Sequence, residues 1–166
     1  MTVHHETVEV HSHLHKPMFH DVTGAAEAAV ARSGVRMGTL TVYSKHTTCS
    51  VIIQEASHDR LYDGTEYLLQ DMVDRLEAVV PTCRHEGQYL HPGKAHIQHA
   101  VDDLGEEAVW SLNTDAHIRS GLVGRSETIP IVDGRLELGE FGRVYFADFD
   151  GVRERDRSVH FTVMGE

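Results

Sequence analysis

At 166 residues and 40% hydrophobic, the chain is long enough to bury one core, and a single domain over 1–166 is expected. A formal net charge of −11 argues against general nucleic-acid binding, and no apolar run approaches the ~20 residues that cross a bilayer, so neither nucleic acid nor membrane is an expected partner. The first 20 residues carry polar and His residues throughout instead of a secretory apolar stretch. The two cysteines, Cys49 and Cys83, suit a reducing compartment, so the expected location is the cytoplasm.

Along the chain, Thr7 to His15 alternates, with Val8, Val10 and Leu14 on one side and Glu9, His11, His13 and His15 on the other, as in a half-exposed strand. Asp21 to Ser33 reads as a helix with Val22, Ala25, Ala26, Ala29 and Val30 as its apolar stripe and Gly34 as its C-terminal cap. Met37 to Ser44 and Cys49 to Ile53 read as strands. Ser57 to Val80 is the longest expected helix, with Leu61, Leu68, Met72, Leu76 and Val79 at helical spacing and Pro81 at its end. His96 to Leu104 and Glu106 to Leu112 read as short helices, and Thr114 or Asp115 caps another through Leu122.

The last third is β. Thr128 to Val132, the pair Asp133-Gly134 and Arg135 to Leu138 carry a hairpin signal, and Val144 to Phe149 and Ser158 to Met164 add two strands. Helices interleave with strands early and antiparallel strands dominate late. The expected class is α+β, a mixed or antiparallel β-sandwich-like core with flanking helices. No G-x-G-x-x-G or P-loop is present.

Fourteen histidines supply many neutral imidazoles near pH 7, most of them read as surface residues. His11, His13 and His15 lie on one side of a strand and read as a solvated face. His96, His99 and Asp103 share a helical face at a spacing that suits a divalent metal, but that equally describes the polar side of an exposed helix. Three other segments concentrate chemistry where loops meet elements: His46-Thr47-Thr48-Cys49-Ser50 with Gln54-Glu55 beyond it, Tyr89-Leu90-His91-Pro92-Gly93, and Asn113 to Ser126. The last offers a helix start, the forked donors Arg119 and Arg125, and glycines for close approach, all suited to an anion. His117 and Arg119 are two apart and do not share a helical face.

Taken in order, His46-Thr47-Thr48, Gln54-Glu55, Tyr89-Leu90-His91, Asp115-Ala116-His117-Ile118-Arg119, Gly124-Arg125-Ser126, Gly134 to Gly139, Asp148 to Gly151 and Gly165-Glu166 resemble the pattern of the secondary thiamine-phosphate synthase family, the YjbQ-like proteins. The chain departs from it in Gln54 for Asn, Arg119 for Lys, Glu140-Phe141-Gly142 for Thr-Trp-Gln, and a longer stretch between His91 and Asp115. The resemblance implies a homotrimer, and the C-terminal strands, apolar on both sides, point the same way.

It also implies joining of a thiazole phosphate to a pyrimidine methyl diphosphate with release of diphosphate. On its motifs, His46, Glu55, His117 and Arg119 are the expected catalytic residues, and Thr47, Thr48, Asp115, Ser120 and Gly124 the expected contacts of a small phosphate-bearing ligand. His46, His91 and His117 are expected to converge, as ligands of a divalent metal (zinc or magnesium) or as donors to phosphate. The alternatives are a zinc-dependent hydrolase with Glu55 as base, and a non-catalytic trimeric module for an anionic metabolite.

Overall fold

The computed structural model describes residues 1–13 and 15–166; Leu14, expected on the inner side of the first strand, lies outside the described residues. Two antiparallel sheets face each other. The larger is built from β1 (Thr2–Ser12), β8 (Arg155–Gly165), β3 (Gly38–Ser44), β5 (Ser126–Val132) and β6 (Arg135–Leu136), in that spatial order. The smaller holds β2 (Met18–Asp21), β7 (Gly142–Asp148) and β4 (Cys49–Glu55). Between them Leu40, Val42, Val51, Ile129, Val144, Phe146, Phe161 and Val163 form a continuous buried core. Helix α1 (Thr23–Ser33) adds Ala26, Ala29 and Val30 to it. Alanine-rich composition favours this helix, and Gly34 ends it in the left-handed conformation at φ 71°.

Helices α2 (Tyr67–Val79) and α4 (Thr114–Val123) cover the outer face of the smaller sheet, where Leu69, Leu76 and Ala116 meet Ile52, Tyr145, Ala147 and Phe149. This explains why β7 is apolar on both sides. Val144 and Phe146 face the inter-sheet core, while Tyr145 and Ala147 lie under the helices. The two-sided pattern of β7 is therefore satisfied within one chain. Among the described residues no helix covers the outer face of the larger sheet, and Val3, Tyr43 and Met164 are exposed there.

Several elements differ from their expected bounds. The helix expected from Ser57 starts only at Tyr67. Residues 61–65 instead form a turn in which the Leu61 N–H donates to Thr65 O and Gly64 takes φ 87°, and the apolar Leu61 does not belong to the helical stripe. The expected helix at Glu106 shrinks to a 3-10 turn, Ala108–Ser111, after α3 (Lys94–Asp102). β2 has no alternation in sequence and was not expected; it forms because β7 offers it an edge from Met18↔Asp148 to Asp21↔Tyr145. The Asp133-Gly134 hairpin forms with both residues at positive φ (50° and 77°), the type I′ geometry that fits strand twist. Among the described residues no helix is long and apolar enough to cross a membrane.

Candidate functional site

The site lies where the β8 row turns from apolar to cationic. Successive inward positions on a strand are two residues apart. Val163, Phe161 and Val159 enter the core, and the same row continues as Arg157 and then Arg155 at the open end of the sandwich. Arg153 follows at the same spacing. Opposite them, β7 ends at Asp148, with Asp150 just beyond. Arg157 grips Asp148 through Nε at 2.6 Å and Nη2 at 3.1 Å, and Nη2 also donates to Thr48 Oγ1 at 3.1 Å. Arg155 faces Asp150 at 3.4 Å, and Asn113 Nδ2 donates to the same Asp150 carboxylate at 3.1 Å. Glu106 reaches Arg153 at 2.6 Å.

The three arginines, Thr48, Asn113 and Glu106 line a cleft of about 220 Å³, with Asp148 and Asp150 buried behind it. His46, Thr47 and Thr48 form one wall, and His96, His99, Trp110 and His117 belong to the rest of the lining. The Nε–H groups of Arg153 and Arg155 are buried and have no hydrogen-bond partner among the described residues. Buried donors are nearly always paired in proteins, so two unpaired guanidinium donors on residues that line the cleft set this region apart from the rest of the molecule.

The loop after β3 sets the first wall. His46 N–H donates to Ser44 Oγ at 3.2 Å, and Cys49 N–H donates to His46 O at 3.2 Å, closing a turn around Thr47 and Thr48. The peptide N–H of Ser158 donates to His46 Nε2 at 2.9 Å. That nitrogen therefore carries no proton, and Nδ1–H is the ring's remaining donor. Burial, together with nearby Arg157 and Lys45, holds the His46 pKa below its ordinary value. Burial also lowers His117, although Asp150 and a hydrogen bond to the Thr47 backbone partly oppose it. His91 is lowered by burial and by its neighbours His96 and His117. His46, His91 and His117 are thus each shifted toward the neutral imidazole.

The expected convergence is realised in part. His91 and His117 meet edge to face with ring centroids 5.9 Å apart, and His96 joins His91 at 4.5 Å. His46 stands on the same cleft, but its Nε2 is held by Ser158. Among the described residues no group of three His, Cys, Asp or Glu is arranged to hold a metal ion. As arranged, His46, His91 and His117 do not fit a three-imidazole metal site.

Other expected residues lie elsewhere. Arg119 is 2% exposed and donates to Val80 O, Glu77 and Thr82, with Asp115 at 3.4 Å. It ties α4 to the end of α2 and does not line the arginine cleft. Asp115 accepts from Cys83 N–H at 3.1 Å, and burial raises its pKa despite that bond and Arg119. Ser120 Oγ donates to Cys49 O at 2.6 Å, and Gly124 O accepts from Val51 N–H; both anchor α4 to β4. Glu55 is exposed at the far end of β4, paired with Gly142, six residues from Cys49 or about 20 Å along the strand. It does not reach His46. Cys49 is sealed under the cleft; burial, then Asp148, pushes its thiol well above the usual range, so it is no nucleophile.

His96 and His99 are exposed, as a solvated helical face would be, yet that face is turned toward the cleft. His11, His13 and His15 are all exposed, as expected, but β1 ends at Ser12, so only His11 lies on that strand, where it pairs with Asp156 at 2.8 Å. The residues that sequence reading passed over are Arg153, Arg155 and Arg157. Their signal was present as R-x-R-x-R leading into a strand, a spacing that puts three guanidiniums on one face.

The family model for the "UPF0047 protein YjbQ-like" proteins matches residues 6–166. The chain belongs to the YjbQ-like, UPF0047 family. A UPF0047 protein of Methanothermobacter thermautotrophicus is 30% identical over 146 residues, covering 88% of this chain and 82% of that protein. One of Synechocystis is 34% identical over 148 residues, covering 89% and 83%. Among solved structures, a YjbQ/UPF0047 protein of Clostridium acetobutylicum superposes with a TM-score of 0.67 at 28% identity, covering 95% of this chain and 99% of that one. A hypothetical protein of Aeropyrum pernix gives 0.68 at 29%, covering 97% and 99%. The smaller sheet, the arginine cleft and the larger sheet from Glu6 onward lie inside the matched span of this YjbQ-like chain.

Proposed function

We propose that this YjbQ-like chain binds a phosphate-bearing metabolite in the arginine–histidine cleft and carries out the secondary thiamine-phosphate synthase transfer there. The observation that carries the reading is the pair of buried guanidinium Nε–H groups, on Arg153 and Arg155, that lack an acceptor. In that transfer the thiazole nitrogen forms a bond to the pyrimidine methylene carbon. The carbon–oxygen bond breaks, and diphosphate leaves with its electron pair. Negative charge grows on the leaving oxygens, and donors fixed before the reaction stabilise it most. Arg155 and Arg153 supply such donors, and neutral His46 and His117 supply ring N–H groups.

The test is diphosphate release by the purified chain with each precursor alone and with both. Release that requires both, and that falls at least about tenfold in Arg155→Gln, is the expected result. No release with both precursors sinks the synthase reading, and phosphate binding without turnover leaves a binding module. Zinc or magnesium is a separate proposal, checked by elemental analysis; stoichiometric zinc with ester hydrolysis turns the reading toward the hydrolase, although Glu55 is far from the cleft. Homotrimeric assembly in the cytoplasm belongs to the same reading. The uncovered outer face of the larger sheet and the two free, buried cysteines support it, and light scattering giving a stable monomer at micromolar concentration counts against the trimer.

A further inference from the structure

The three arginines beside the cleft meet three carboxylates, Arg157 pairing with Asp148 and standing 3.5 Å from Asp150, Arg155 with Asp150 and Arg153 with Glu106, but the three carboxylates are not alike. Asp148 and Asp150 belong to the end of β7, and their side chains are 1% and 0% exposed. They cannot leave without opening the sandwich. Glu106 sits between α3 and the 3-10 turn, and its side chain is 27% exposed. Over residues 94–112 only Ala100 and Ser111 are buried. The Glu106 peptide N–H is tied to Ala100 O at 2.9 Å, within the same segment. The carboxylate of Glu106 is thus the one removable anion in the cleft.

Its partner is also set apart. Arg153 lies over Trp110 with its guanidinium carbon 4.6 Å from the ring centroid, a cation–π contact that restrains the side chain. One edge of that fork holds Glu106 through Nη2, and Nε–H is left without a partner. A guanidinium with an unpaired donor matches the tetrahedral oxygens of phosphate better than one carboxylate in a single contact. Partly exposed ion pairs are weak, so an incoming oxyanion displaces this one at little cost.

We infer that Glu106 is a built-in occupant of an anion subsite at Arg153, and that a phosphate-bearing ligand takes the subsite by displacing the Glu106 carboxylate. The inference rests on the cleft being a phosphate site. It makes Glu106 a selectivity device: with it in place, three cations face three carboxylates, and a ligand enters fully only if it brings its own oxyanion.

Trp110 is the single tryptophan of the chain and lies against Arg153, so its fluorescence reports the subsite directly. The experiment titrates the full chain with inorganic phosphate at fixed ionic strength, in wild type, Glu106→Gln, Arg153→Gln and the double variant. Glu106→Gln is expected to bind phosphate about three- to fivefold more tightly than wild type, the scale of one partly exposed ion pair. The same substitution in the Arg153→Gln background is expected to change affinity less than about twofold. Amide exchange of wild type around 105–107 is expected to speed up when phosphate binds, which tests the displacement without any variant.

Equal affinity of wild type and Glu106→Gln, or unchanged exchange with phosphate bound, overturns the inference and leaves the phosphate site standing. Absence of phosphate binding to both proteins, measured by calorimetry, overturns the site and the inference together.

Discussion

Two cavities of this protein are lined by ion pairs, and they differ in what is left over. The larger, about 350 Å³, lies between β2 and the 60–66 turn. There Lys16 pairs with Asp63 and donates to Thr65 at 3.0 Å, and Arg60 pairs with Glu66 at 3.0 Å. Buried Glu66 also accepts from Ser57 N–H at 2.7 Å and from Tyr145 OH at 3.1 Å. Burial and the Glu66 charge both raise the Tyr145 pKa, so its hydroxyl stays a donor. The smaller arginine cleft has the same chemistry but ends with two buried guanidinium donors unsatisfied. The larger cavity is a closed account of polar groups, and the smaller one is not. Unpaired donors, and not volume, separate a site from a gap in the packing.

The comparison breaks most visibly at Asp148. Asp148→Ala leaves Arg157 buried without its bidentate partner, and loss of one member of a buried pair costs about 3–5 kcal/mol. Urea denaturation measures this, and a loss below about 1 kcal/mol would mean that water or another group replaces Asp148. A second substitution sharpens the contrast between the cavities. Arg60→Gln removes a cation that lies 3.0 Å from its carboxylate, nearer than Arg155 is to Asp150, yet phosphate affinity is expected to stay within about twofold of wild type, with about 1 kcal/mol of stability lost because the Arg60 side chain is partly exposed. If Arg60→Gln weakens phosphate binding as much as Arg155→Gln does, the assignment of the anion to the smaller cleft fails.

The smallest expected effects are with pH. His46, His91 and His117 are all held below the ordinary value of 6.5 in the folded chain. The unfolded chain then binds more protons as pH falls through 6.5, so the stability these rings contribute is present above that pH and is lost below it. An anion in the cleft favours the protonated rings and raises their pKa. Binding therefore takes up protons, and sulfate, whose charge is constant in this range, is expected to bind a few-fold more tightly at pH 6 than at pH 8. Calorimetry at the two values checks this, and equal affinities would remove the imidazoles from the anion's surroundings.

Much of the fold was legible because local rules decide it. The alanine stripe before Gly34, the Asp133-Gly134 turn and the alternation of β3, β5 and β8 need no distant partner to be read. The Ser57–Tyr67 segment misled because apolar spacing alone cannot weigh the turn around Gly64, and β2 was invisible because its only reason to be extended is the edge of β7. The site was legible in halves. The His46-Thr47-Thr48 turn and the His91–His117 approach were expected from motifs, whereas Arg119 and Glu55 bear motif positions that the fold assigns to α4 anchoring and to a distant strand end.

The amino-acid sequence by itself determined the α+β class, the family, the strand and helix cores, and the loops in which His46, His91 and His117 sit. It did so because periodicity, turn chemistry and motif order are local properties carried by neighbouring residues. Only the tertiary structure decided which cations face a cavity and which are sealed into the frame. Arg119 and Arg155 are alike as residues, but one ends beneath α2 with its nitrogens bonded to Val80, Glu77 and Thr82, and the other ends at the mouth of the sandwich with a free Nε–H. The physical reason is that a guanidinium's availability depends on acceptors from distant elements, and these meet it only when the sheets and helices pack.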